Sequence, residues 1–226
     1  YRPGKLPDPS SQAERWRAWC RAQGIGELHI AYVQSFDQGD PRTFGYDSCV
    51  QFPPNLSTPS PLTSEQALIN PGYEGQVVDW RGMARAFQDA DPLEHLRHPG
   101  INCGWDNEAR RPGRGRTYIH ASPRAYGDWL RRVVNTLPVD KPETERLVFI
   151  NAWNEWAEGA TLEPDARLGY ANLRATRQAL ANTAASAVST PGGKDASPHT
   201  HAILHVWHVD VLPEMLEALE SCGLPW

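Results

Sequence analysis

Two carboxylates three residues apart, Glu155 and Glu158, stand in the run NAWNEWAEG at residues 151–159 and are the strongest candidates for chemistry in this sequence. A helical turn there would bring both side chains to one side, within reach of a single bound molecule. Two acids so placed need not share a charge state. Packing against Trp153 or Trp156 would raise the pKa of one carboxyl and keep it protonated, while the other, better hydrogen-bonded, stays ionised. A proton donor and a base flanking one bond is the arrangement that glycoside hydrolysis requires. The tryptophans suit the same substrate class, because a flat indole packs on the C–H face of a pyranose while Asn154 meets its hydroxyls. The alternative, a solvated acidic turn, fits the flanking aromatic residues less well.

The position of the run supports this reading. Residues 148–150 are Val-Phe-Ile, an apolar strand, so 151–159 is where a buried strand emerges. In a parallel β/α architecture the catalytic groups sit at strand C-termini and in the loops after them. A second strand-end cluster, Trp105, Asp106 and Asn107, is read as substrate-binding, with an Asx turn as the simpler alternative. Arg110, in a run with Arg111, Arg114 and Arg116, could meet a phosphate or uronate, or simply be solvated.

The elements that would hold these residues alternate between strand and helix. Ser11 and Glu14 have capping-box spacing, Trp16, Trp19 and Cys20 share a helical face, and Gly24 is a stop. Strands are expected over 27–34, 46–52, 100–105 and 146–153, and a long polar loop over 55–76. A helix is expected near 77–87, and a clearer one from Ser122-Pro123, where Tyr126, Trp129, Leu130 and Val133 form an i, i+3, i+4, i+7 stripe. A last helix is expected over 167–180. Repeated βα units imply an α/β fold with a parallel sheet. Residues 1–181 are therefore expected to be the C-terminal portion of a (β/α)8 TIM-type barrel, with its opening strands outside the sequence. Residues 182–200, rich in Ala, Ser, Thr, Gly and Pro, read as a linker, and 201–226 as the first βα unit of a second domain.

Composition narrows the partners. The 226 residues carry a formal net charge of −5 and a pI near 5.9, which excludes the broad basic surface of a general nucleic-acid binder. No apolar run is long enough for a transmembrane segment and the first residues have no leader architecture, so a cytoplasmic location is expected. The four cysteines form no C-x-x-C pair, and the His-x-His and His-x-x-His spacings of His199, His201, His205 and His208 are weak metal signals. No metal or cofactor is expected; the partner is an oligo- or polysaccharide, and the oligomeric state is left open.

The run FINAWNEWAEGATLEPD at 149–165 closely resembles the signature of WbsX-like proteins, relatives of the glycoside hydrolase family that contains endo-α-1,2-mannosidases. GWDNEARR at 104–111 and GYDSCVQFPP at 45–54 resemble two further blocks of that family, in the same order. The resemblance implies that Glu155 is a base assisting the substrate's own 2-hydroxyl, that Glu158 is the acid, that configuration is retained, and that Tyr46 and Asp47 bind substrate. Two departures bear on the choice of sugar: an acid would be expected at Gln51 and a histidine at Asn55. Many such proteins are labelled glycosyltransferases of lipopolysaccharide or capsule assembly. Hydrolysis of α-linked mannose-type glycans, sugar transfer, and a silent carbohydrate-binding scaffold therefore all stay open. The run AILHVWHVDVLPEML at 202–216 resembles the opening of a rhamnan synthesis F domain.

Overall fold

The computed structural model describes residues 2–142 and 145–187 as a mixed α/β structure whose strands fall into four small sheets. Five strands form parallel ladders in two of these sheets. β1 (Ala31–Gln34) pairs with β2 (Ser48–Gln51), and β2 pairs with β4 (Arg97–His98); β5 (Gly100–Asn102) pairs with β8 (Phe149–Asn151). Only Pro99 separates β4 from β5, and proline, with no N–H to give, interrupts a ladder at that point. The crossing is also unusually close: a Cβ on Gly100 would lie 2.0 Å from the Gln51 carbonyl oxygen, so only glycine fits. The strands deliver Gln34, Gln51, Asn102 and Asn151 to one common end.

A mixed sheet flanks them, in the order β3 (Gln76–Asp79), β7 (Arg116–Ile119), β6 (Trp105–Asp106), with β3 parallel and β6 antiparallel to β7. β9 (Asn154–Glu155) and β10 (Ala160–Thr161) form a short hairpin. No closed barrel is present among the described residues.

Helix α1 (Pro9–Ala22) starts earlier than Ser11 suggested, because Asp8 is the cap: its side chain accepts the Ser11 N–H at 3.0 Å and Pro9 presets the first turn. Its buried residues are Ala13 and Cys20, whereas Trp16 and Trp19 are exposed. Arg17 docks it, donating to the Gly45 carbonyl and pairing with Asp47. Residues 76–79, read as loop and helix, are strand β3, and α2 (Trp80–Gln88) follows it directly with Asp79 as cap. Four residues are too few to show a period, and their pairing with β7 is non-local.

Helix α3 (Pro123–Thr136) matches expectation, with Ser122 accepting from Ala125 N–H and Tyr126, Trp129, Leu130 and Val133 buried. α4 (Ala171–Ala187) packs on it and continues into the segment expected to be a linker. The remainder of that segment and the expected first βα unit of a second domain, with the four histidines and Cys222, lie outside the described residues. The main core joins α2, α3 and α4 to the β5 and β10 region through Trp80, Met83, Ile101, Tyr126, Leu162 and Leu173. Cys20, Cys49 and Cys103 are free buried thiols. No described helix is long and apolar enough to cross a membrane.

Candidate active site

Strand β8 ends in a set of amide contacts that fix the chain just before the candidate acids. Asn102 Nδ2 donates to the Asn151 carbonyl at 3.0 Å, and Asn151 Nδ2 donates to the Pro53 carbonyl at 2.8 Å. Trp153 then turns inward into the core, 2% exposed. Glu155 closes β9, and residues Trp156–Glu158 form one 3₁₀ turn that leads through Gly159 into β10. Side chains three apart eclipse in a 3₁₀ turn. Glu155 and Glu158 are therefore brought together as expected, by a tighter turn than an α-helix. Gly159 has φ 59°, and a Cβ there would lie 2.9 Å from the Asp106 amide nitrogen, so glycine lets the turn press against β6.

Glu158 is mostly enclosed, its side chain 16% exposed. Burial raises its pKa above the usual carboxylate value; Arg110 opposes this with its charge, and neighbouring Glu155 adds to it. Arg110 Nη1 donates to Glu158 Oε1 in a close ion pair and is itself half exposed.

Trp156 is 52% exposed, and its indole N–H donates to Glu163 Oε2 at 2.6 Å. It is thus an open aromatic face held in one orientation. Glu163 thus anchors this indole; Asp165 accepts from the Arg167 N–H in a turn before α4. Nothing in the local spacing signals the Trp156–Glu163 pair, which forms because the 156–163 hairpin folds back on itself.

The 105–110 block lies against this turn but is largely structural. Trp105 is buried in the core. Asp106 Oδ1 accepts the Glu108 N–H at 2.9 Å and the Thr117 hydroxyl at 3.1 Å, which is the Asx-turn alternative. Asn107 Oδ1 accepts the Arg116 N–H at 2.6 Å. Only Arg110 reaches the carboxylates.

A model of the family described as glycosyltransferase WbsX matches residues 1–176. The chain belongs to that family. It is 55% identical over 225 residues to two proteins called uncharacterized protein WxcX, from Xanthomonas campestris pv. campestris strains ATCC 33913 and B100. The alignment covers all of this chain and 32% of each relative, so the chain spans about a third of the length of these curated relatives. Among solved structures it is similar to one called glycoside hydrolase-like protein, at 16% identity and a TM-score of 0.46, over 74% of this chain and 49% of that one.

Other residues singled out through the WbsX resemblance lie away from the acids. Tyr46 is buried in a smaller core with Ala13, Ile30, Tyr32 and Cys49, and Asp47 accepts the Ile30 N–H at 2.7 Å while pairing with Arg17. Both precede β2, at the N-terminal end of the parallel strands, whereas Glu155 follows the C-terminal end of β8. Their contacts hold α1 against this end of the strands. Burial works against the Asp47 charge, but the Ile30 N–H and Arg17 outweigh it and hold its pKa low. Gln51, where an acid was expected, uses its amide oxygen to accept the Gly100 N–H at 3.2 Å.

One residue on the C-terminal side was not anticipated: Asp37, just after β1, has a buried Oδ1 without a hydrogen-bond partner. Its orphaned oxygen arises from tertiary burial, which a sequence does not display. An open groove of about 800 Å³ between α3 and α4, lined by Arg124, Arg131, Tyr170 and Arg174, shares no residue with the Glu155–Glu158 turn. Among the described residues, no cluster of His, Cys, Asp and Glu is placed to hold a metal ion.

Proposed function

We propose that this chain carries the acid–base pair of a carbohydrate-active enzyme of cell-surface polysaccharide metabolism, with retaining, glycoside-hydrolase-like chemistry on α-linked mannose-type glycans. What carries the reading is Glu158, enclosed beside Glu155 on one 3₁₀ turn, with its pKa raised by burial and by its neighbour. A raised pKa suits a carboxyl to the role of proton donor, which leaves the role of base to Glu155. Glu158 gives its proton to the departing glycosidic oxygen. Glu155 takes the proton of the substrate's 2-hydroxyl, whose oxygen attacks the anomeric carbon from the opposite face. The Glu158 carboxylate then removes a proton from the incoming hydroxyl that opens this intermediate, and Glu155 returns its proton to O2. Two displacements restore the original configuration. Trp156 supplies the sugar platform, with Asn154 and Glu163 supporting it.

If the incoming hydroxyl is water the outcome is hydrolysis; if it belongs to another sugar the outcome is transfer. Transfer is the second reading, favoured by the family's own description as glycosyltransferase. The parallel strands β1, β2, β4–β5 and β8 fit an arc of a barrel whose other strands lie beyond this chain, and residues 201–226 fit the start of a rhamnan synthesis F-like domain.

Incubation with α-linked mannose oligosaccharides, and separately with a nucleotide-sugar donor, tests the assignment. Hydrolysis releases reducing ends from the first; transfer consumes the second only when an acceptor glycan is present. Turnover that is unchanged in both Glu155→Gln and Glu158→Gln would remove the pair from the chemistry, since loss of a general acid or base costs about 10²- to 10⁴-fold.

A further inference from the structure

The loop between β6 and β7 reaches Glu158 through Arg110 and is basic in a specific way. Its carboxylates are consumed locally: Glu108 accepts the Gly113 and Gly115 amides, and Asp106 at its start accepts from Glu108 N–H and Thr117, while Glu74, just before β3, pairs with Arg114. Arg111 is exposed, and its guanidinium has no partner among the described residues. Arg110, 54% exposed, meets only Glu158 among the described residues. A planar, permanently charged fork at the mouth of a site, held by a single carboxylate contact, is free to exchange that contact for a better one.

We propose that Arg110 is a specificity residue that reads an anionic group, a carboxylate or a phosphate, on the sugar bound at Glu155 and Glu158. The proposal rests on the reading of those two acids as the reacting pair. A carboxylate or phosphate offers Arg110 two oxygens in fork geometry, where Glu158 offers one. Drawing the guanidinium to the ligand leaves Glu158 facing Glu155 alone, and like charges in contact favour a shared proton. Anion recognition and tuning of the acid thus become one event: a charged group that draws Arg110 away removes the charge that lowers the Glu158 pKa, whereas with a neutral sugar Arg110 stays on Glu158. No covalent step is added by this exchange.

The test is calorimetric titration of the full chain with three probes: α-mannobiose, mannose 1-phosphate, and a disaccharide ending in glucuronic acid. The two charged probes distinguish phosphate from carboxylate. At least one is expected to bind about tenfold more tightly than the neutral disaccharide, a difference of about 1.4 kcal/mol. Arg110→Gln is expected to erase that preference while sparing neutral binding, and Arg110→Lys to restore part of it. Glu158→Gln, which releases the guanidinium, is expected to tighten the charged probe further, a result that a purely structural arginine would not give. Equal binding of neutral and charged sugars, or a preference that survives Arg110→Gln, overturns the proposal. If in that case neutral binding is still weakened by Trp156→Ala, the reading of the site itself stands. Failure of all three probes to bind overturns both.

Discussion

Glu158 sits between two opposing neighbours, and the balance between them should be visible in a pH profile. Activity that needs its proton falls as pH rises through its pKa. Arg110 lowers that pKa and Glu155 raises it. Arg110→Gln should therefore shift the alkaline limb of the rate profile to higher pH, and Glu155→Gln should shift whatever activity survives to lower pH. Initial rates at several pH values on one glycan check both; identical limbs in wild type and Arg110→Gln would show that the ion pair does not tune the acid. Trp156 offers a second prediction at this scale. Trp156→Ala should weaken glycan binding by about 1 to 3 kcal/mol, taking base stacking on aromatic side chains as the guide. Glu163→Gln, which keeps an acceptor oxygen for the indole N–H, should have a smaller effect. That Glu155 and Glu158 converge was legible in their spacing. That Trp153 and Trp105 serve the core was not, because tryptophans flanking a polar run look alike until tertiary packing chooses which face in.

The base of the parallel strands carries its own titration. His98 on β4 is 1% exposed between His29 and Phe149, its Nδ1 lacks a partner, and burial, with His29 adding charge, pushes its pKa down to about 4. A folded-state pKa below the unfolded value of about 6.5 means that neutral His98 contributes stability above pH 6.5, and that this is lost as pH falls toward 4. The shift corresponds to about 3 kcal/mol. Melting temperatures measured between pH 7 and 4 should fall steeply in wild type and more gently in His98→Phe; parallel curves would remove His98 as a source of acid lability. The crossing of β2 and β5 is more severe. Gly100→Ala places a Cβ against the Gln51 backbone, and the protein should lose about 3 kcal/mol or fail to fold, as judged by circular dichroism. Elements with strong local signals were legible: α3 announced itself through Ser122-Pro123 and its apolar stripe. Strands β3 and β7 did not, since residues 76–79 and 116–119 have no period of their own and are strands only through each other.

At the scale of the whole molecule, parallel strands collect their C-terminal ends on one side, and the 105–119 and 151–163 segments meet there across Gly159 and Arg110. The alternating pattern of strands and helices read this α/β character correctly. The barrel expectation went further than the described residues, whose ladders form separate small sheets without closure. Tyr46 and Asp47, joined to the site through the family resemblance, precede β2, while Glu155 follows β8; a sequence does not display which strand ends share a side. The most direct measurement of the central claim compares a natural α-mannoside with one bearing a dinitrophenyl leaving group that needs no proton. Glu158→Gln should lose kcat/KM on the natural glycan by about 10²-fold or more yet largely keep kcat/KM on the activated substrate, while Glu155→Gln should lose both. Equal losses on the two substrates in Glu158→Gln, or an activated substrate untouched by Glu155→Gln, would contradict it.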